Sequence, residues 1–155
     1  MDMKKRVLLG CLLGSLWISA SSWAAEPGKQ DAIDMVNKAM AYHKANGKDK
    51  TLAVLNKKDS EFVKGELYVF AYDLAGTVIA HPLNARLVGK NMLEIPDQEG
   101  KFYRKDVQKI ALSQGTGWVD YLYKNPETNK IERKSAYVQK VEDMILVCGI
   151  YVGAW

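Results

Sequence analysis

Residues 66–72, Glu-Leu-Tyr-Val-Phe-Ala-Tyr, alternate on a period of two, and both alternating sets are apolar. As a strand, this segment would put Leu67, Val69 and Ala71 on one face and Tyr68, Phe70 and Tyr72 on the other. A strand with two apolar faces has to be covered on both. The fold therefore needs one layer above the sheet and another below it. Asp73-Leu74-Ala75-Gly76 follows as a hairpin turn, and residues 77–81 return as the second strand. Pro82 ends that strand, because it has no ladder donor and keeps His81 extended.

The covering layers are legible on either side of this hairpin. Ile33, Met35, Val36, Met40 and Ala41 recur at three- and four-residue spacing. With Asp31 as N-cap and Gly47 just past the end, they predict a helix of about four turns. A short second helix is expected over 49–57, with Leu52 and Leu55 on one side, and His43 is expected exposed on the first. Residues 82–100 hold no period but carry Pro82, Asn84, Gly89, Asn91, Pro96 and Gly100. So long an irregular segment in a compact domain is usually functional or mobile. Phe102, Val107, Ile110 and Ala111 then fit a helix closed by Gly115.

Three further strands are expected near 116–124, 131–142 and 144–152, joined by loops at 125–129 and 142–143. Hairpin connections make the whole an antiparallel sheet of five strands in an α+β fold. The N-terminal helix is expected on one face and the irregular segment with its helix on the other. Gly89 and Gly117 fall where a cavity wall must turn sharply, which points to backbone roles.

The N-terminus reads as an export signal. Lys4, Lys5 and Arg6 form a basic region, 7–20 is uncharged and mostly apolar, and Ser22-Trp23-Ala24 offers small residues for cleavage before Ala25. Residues 1–24 are thus a signal peptide, 25–155 a single domain, and the compartment the periplasm. The alternative is an uncleaved membrane anchor, since 7–25 is just long enough to span a bilayer, although four serines weaken its second half. Cys11 lies too close to the basic cluster for a lipoprotein site, and the apolar run continues beyond it.

The chain carries +4, and loss of Asp2, Lys4, Lys5 and Arg6 leaves +2, which is no footprint for nucleic acid. Cys148 is then the sole cysteine, within an apolar run, so no internal disulfide and no cysteine-based zinc or haem site is expected.

His81 and Lys134 are the cations of most interest. His81 ends a strand at the mouth of the irregular segment, where an imidazole can donate to a carboxylate. Lys134 lies within a strand, where an ammonium either faces solvent or pairs with an anion. Trp118, Tyr121, Tyr123, Tyr137, Tyr68 and Tyr72 have large apolar faces with polar tips, as small-molecule pockets use. They cannot all share a cavity, because a regular strand turns Trp118 away from Tyr121, and Lys134 away from Tyr137. Arg86 and Lys90 could clamp an anion from the irregular segment. There is no G-x-S-x-G elbow, P-loop, dinucleotide fingerprint or histidine pair at metal spacing, so neither an enzyme nor a cofactor is expected.

The ordered set YxFxYD, G-x-x-x-AHP, L-x-GKN, GxGWVDY, NPxTxK and KxxYV runs from Tyr68 to Val138. Taken together it resembles the single Cache domain of the second type, a PAS-like extracytoplasmic module that senses small molecules, over roughly residues 30–151. The resemblance implies that the K-x-x-Y strand borders a ligand cavity, with Trp118, Tyr121 and Tyr137 lining it. It also implies a short carboxylate ligand of two to four carbons. His81 and Lys134 would meet the carboxylate, with Tyr72 and Arg86 also at the site. No transducing segment follows the domain, so a separate receptor, kinase or transporter would be the partner. The alternative is an interaction module without a small ligand, forming a homodimer through Ile33, Val36 and Met40 of the N-terminal helix.

Overall fold

The computed structural model of the chain describes residues 26–153; the signal-peptide reading of 1–24 lies outside them. Helix α1 (Lys29–Asn46) and the shorter α2 (Lys48–Leu55) come first, broken apart at Gly47. The N-cap is Gly28 rather than Asp31, which sits three residues in, its carboxylate accepting from the Gly28 N–H at 2.6 Å. A negative charge there suits the helix N-terminus.

Six strands follow instead of five: β1 (Val63–Lys64), β2 (Leu67–Asp73), β3 (Val78–Ala80), β4 (Thr116–Lys124), β5 (Ile131–Val141) and β6 (Met144–Tyr151). The addition, β1, is a two-residue pairing with the start of β2. All pairings are antiparallel, in the order β1-β2-β6-β5-β4, and β3 shares the outer edge of β2. The middle strand β6 is buried along its whole length.

Each face of the sheet has its own core. Leu67, Val69 and Ala71 pack with Leu146, Cys148 and Ile150 beneath α1. The stripe that α1 lays on them is Ala32, Val36, Ala39 and His43, two of them alanines that let the helix come close. Val36 is fully buried, a contribution of about 1.5–3 kcal/mol. Val36 of the expected dimerisation stripe is thus spent inside the fold, and Ile33 and Met40 are half-buried. His43 is likewise buried rather than exposed, its Nε2 3.2 Å from Glu142 Oε2.

On the opposite face, Tyr68, Phe70 and Tyr72 pack with Val119, Tyr121, Val138 and Val147 under α3 (Tyr103–Ser113). Gly117 is where α3 crosses β4: a Cβ there would stand 2.8 Å from Ile110 Cγ2, so its role is close approach rather than an unusual φ. Gly89, by contrast, has φ +85°, where other residues are strained.

Candidate ligand-binding site

The segment from His81 to Phe102 covers the aromatic face of the sheet, with a short 3₁₀ turn at Ala85–Leu87. It is pinned at both ends. Val78 exchanges backbone hydrogen bonds with Gly89 and Lys90 at 2.8 and 3.0 Å. Further along, Asp97 accepts from the N–H groups of Leu122, Glu99 and Lys101 at 2.9–3.0 Å, tying the loop to strand β4. Partial burial opposes ionisation of Asp97, but these three donors outweigh it and hold the carboxyl below its ordinary range.

Beneath the segment lies a nearly closed aromatic cavity of about 10 Å³, lined by Tyr68, Tyr72, His81, Tyr103, Arg104 and Tyr121 among others. Such a volume is room for about one water. Tyr103 and Tyr121 stack at 3.8 Å with an interplanar angle of 5°. Burial pushes the Tyr72 hydroxyl up to about 12 and Tyr121 well above its usual range, so the phenols are neutral donors and acceptors.

His81 is held by its neighbours. Its Nδ1 accepts from the backbone N–H groups of Leu83 and Asn84 at 3.3 and 3.0 Å, which leaves the proton on Nε2. Its ring lies 5.3–5.4 Å from those of Phe70 and Tyr68. Burial, then the charges of Lys134 and Arg104, lower its pKa to about 3. His81 is therefore a neutral donor rather than a cation.

Lys134 stands directly across from Tyr121 on β4 and from Tyr151 on β6. Its side chain is fully buried, and Nζ has no hydrogen-bond partner among the described residues. Instead it sits 3.9 Å from the ring centre of Tyr68, 4.9 Å from Tyr151, 5.5 Å from Phe70 and 5.7 Å from Tyr123. Nζ thus lies behind three of the rings that wall the cavity. Burial lowers its pKa to about 7, against a small opposing pull from Cys148 and Glu66. Gly149 makes room for the stem, since a Cβ there would meet Lys134 Cε at 2.7 Å.

Four of the expected site residues, Tyr72, His81, Tyr121 and Lys134, therefore gather on one face. Trp118 and Tyr137 do not. They oppose each other across β4 and β5, rings 5.4 Å apart, on the α1 face of the sheet. Regular alternation along β5 separates Tyr137 from Lys134, and no bulge in its pairing with β4 brings them together. Arg86 is exposed on the 3₁₀ turn and does not line the cavity, and Lys90 is exposed too.

One residue of the cavity wall was missed. Arg104, in the first turn of α3, is 6% exposed and lies over the Tyr103 ring, with Cζ 4.2 Å from its centre. Its Nη1 donates to the Ile95 carbonyl at 3.0 Å, whereas its Nε has no hydrogen-bond partner among the described residues. Arg104 lines both the closed cavity and an outer groove of about 360 Å³ along Ile95–Gln98 and Leu122–Lys124. The only sequence signal was its place three residues before Val107, on the flank of the apolar stripe.

A family model described as Cache domain matches the chain over residues 29–155. The chain belongs to the Cache domain family. Three solved structures share the fold. A methyl-accepting chemotaxis protein from Vibrio parahaemolyticus aligns with TM-score 0.69 and 23% identity, covering 80% of this chain and 88% of that one. The periplasmic sensor domain of a chemotaxis protein gives 0.64 and 22%, covering 80% and 90%. A Cache chemosensory domain studied for carboxylic acid recognition gives 0.63 and 23%, covering 80% and 88%. At these identities the likeness is one of fold.

Proposed function

We propose that this Cache domain binds a short organic acid of two to four carbons between the sheet and the 81–102 segment. The carrying observation is Lys134 Nζ, which is fully buried and without an acceptor. An ammonium taken out of water with no partner is costly, and a bound carboxylate supplies the missing one. The Nε2–H of His81 is a second donor at the same wall, and the tyrosine rings would enclose a short carbon skeleton. The structural neighbour whose study concerns carboxylic acid recognition supports the same ligand class.

The protein itself is read as an exported, periplasmic binding or sensing module. It would lose residues 1–24 and pass its signal, or its ligand, to a separate receptor, kinase or transporter. The test is a thermal-shift screen of acetate, propionate, pyruvate, lactate and butyrate on protein recovered from the periplasm, where mass spectrometry is expected to give an N-terminus at Ala25. An acid at a hundred times its dissociation constant adds about 2.7 kcal/mol, a shift of several degrees at this size. A flat screen overturns the ligand reading, and an intact Met1 in the membrane fraction overturns the export reading.

A further inference from the structure

The closed cavity and the outer groove share three wall residues: Tyr103, Arg104 and Tyr123. These side chains are the partition between a void of about 10 Å³ and an open one of about 360 Å³. The two tyrosines are fixed from the sheet side. Tyr103 stacks on Tyr121, and Tyr123 meets the Tyr121 ring edge-on at 6.1 Å, on a strand paired with β5 along its length. Arg104 is fixed from the cover side. Its guanidinium lies over Tyr103, and Nη1 donates to the Ile95 carbonyl, which belongs to the cover itself. Displacing the cover at Ile95 therefore releases this member of the partition.

The two ends of the cover are held by different means. Residues 89–92 are stitched to the β2–β3 hairpin through backbone. Val78 bonds Gly89 and Lys90, the Met92 N–H donates to the Gly76 carbonyl at 3.3 Å, and Thr77 bridges Asn91. This stretch is in effect one more strand beside β3. Residues 94–101 are tied down by side chains at the surface instead. Asp97 accepts from the Leu122 N–H, Lys101 Nζ donates to the Asp120 carbonyl, and Glu94 pairs with Lys105 at 2.7 Å. Both partners of that last pair are exposed, and exposed ion pairs contribute little. Local opening draws on such weakly held, solvent-facing contacts before it breaks a backbone ladder.

We infer that the cover is a one-sided lid: it turns about residues 89–92 and lifts at 94–101, with Arg104 as the bolt across the passage from the outer groove to the cavity. The lid rests on the reading of the cavity as the binding site and adds the way in. A ligand would arrive along the β4 side, past Ile95 and Tyr123. The opposite wall of the cavity, at Leu87 in the 3₁₀ turn, stays shut.

The test uses no acid, so its outcome is independent of whether one binds. Val78 lines the cavity and is 1% exposed, and Val78→Cys places a thiol on that wall. The full chain is treated with iodoacetamide, a neutral reagent. Peptide mass spectrometry reads the rate of labelling at position 78 and separates it from Cys11 and Cys148. Arg104→Ala and Asp97→Ala, added singly, each loosen the 94–101 end. Both are expected to speed labelling at least about tenfold, the effect of losing one charge-assisted hydrogen bond. Leu87→Ala, at the opposite wall, is expected to leave the rate near that of the parent. Faster labelling in Leu87→Ala than in the other two puts the door at the 3₁₀ turn and overturns the lid. Rates that follow urea stability alone, whichever residue is changed, overturn it as well. Faster labelling in Asp97→Ala but not in Arg104→Ala overturns the role of Arg104, and if Arg104→Ala does not fold, Asp97→Ala against Leu87→Ala decides the position of the door. Groove-side labelling together with a flat acid screen would keep the lid and remove the ligand reading, whereas acid binding with labelling through the Leu87 wall would do the reverse.

Discussion

At the scale of single residues, the site is governed by what burial does to a charge. Lys134 has a lower proton affinity in the folded chain than in the unfolded one, because desolvation penalises its ammonium. Below about pH 7 both states are protonated, and the fold bears the cost of the buried charge. Between pH 7 and about 10.4 the unfolded chain holds the extra proton, so stability rises with pH over this window. Carboxylate binding at the proposed site is expected to run the opposite way, since a carboxylate needs the ammonium and its affinity would fall above pH 7. Lys134→Met is expected to remove both slopes and to weaken carboxylate binding ten- to a hundredfold, corresponding to about 1.5–3 kcal/mol. Urea melts from pH 6.5 to 9.5, with titrations at the same pH values, check this. An unchanged binding slope in the variant would assign the dependence to another group.

At the scale of elements, the register of β5 decides which side chains meet. The apolar alternation of residues 66–72 was enough to call for layers on both faces, and both layers are there. Helices α1 and α3 were equally legible, because each buries side chains at three- and four-residue spacing. The site was only half legible. Alternation alone already turned Lys134 from Tyr137 and Tyr121 from Trp118, but the register that pairs Lys134 with Tyr121 and Tyr137 with Trp118, and hence which of them meet the cavity, is not fixed by sequence. Arg104 was hidden for a different reason: an arginine in the first turn of a helix ordinarily faces solvent, and only packing turns this one inward.

The strand β6 carries a prediction of its own. A Cβ on Gly149 would meet the Ser135 carbonyl at 2.9 Å and Ala136 Cα at 3.0 Å as well as the lysine stem. Gly149→Ala is therefore expected to destabilise the domain by about 1–3 kcal/mol. Shortening the lysine should not rescue it, because two of the three obstacles are backbone. Chemical denaturation of Gly149→Ala and of Gly149→Ala with Lys134→Ala measures this, and full rescue in the double variant would place the clash on the side chain instead.

At the scale of the whole molecule, the cavity is too small for any acid of the proposed class, so binding requires the cover to move. The movable parts are the pinned contacts: the Asp97 cap on Leu122, and the bond from Arg104 to Ile95. Association that waits on such opening is slower than simple docking.

Trp118 is the only tryptophan among the described residues, and it lies on the far side of the sheet from the cavity with Lys29 Nζ 4.8 Å from its ring centre. The same two strands that carry Lys134 and Tyr121 on one face carry Tyr137 and Trp118 on the other. The protein thus has a built-in optical gauge for strain carried through its sheet. In a Trp155→Phe background, with the N-terminal residues 1–24 removed, a saturating carboxylate is expected to change Trp118 emission without touching the indole. Emission that stays constant while the melting temperature rises would mean that the ligand's work ends in the cover, and that whatever reads this domain reads the 81–102 side rather than helix α1.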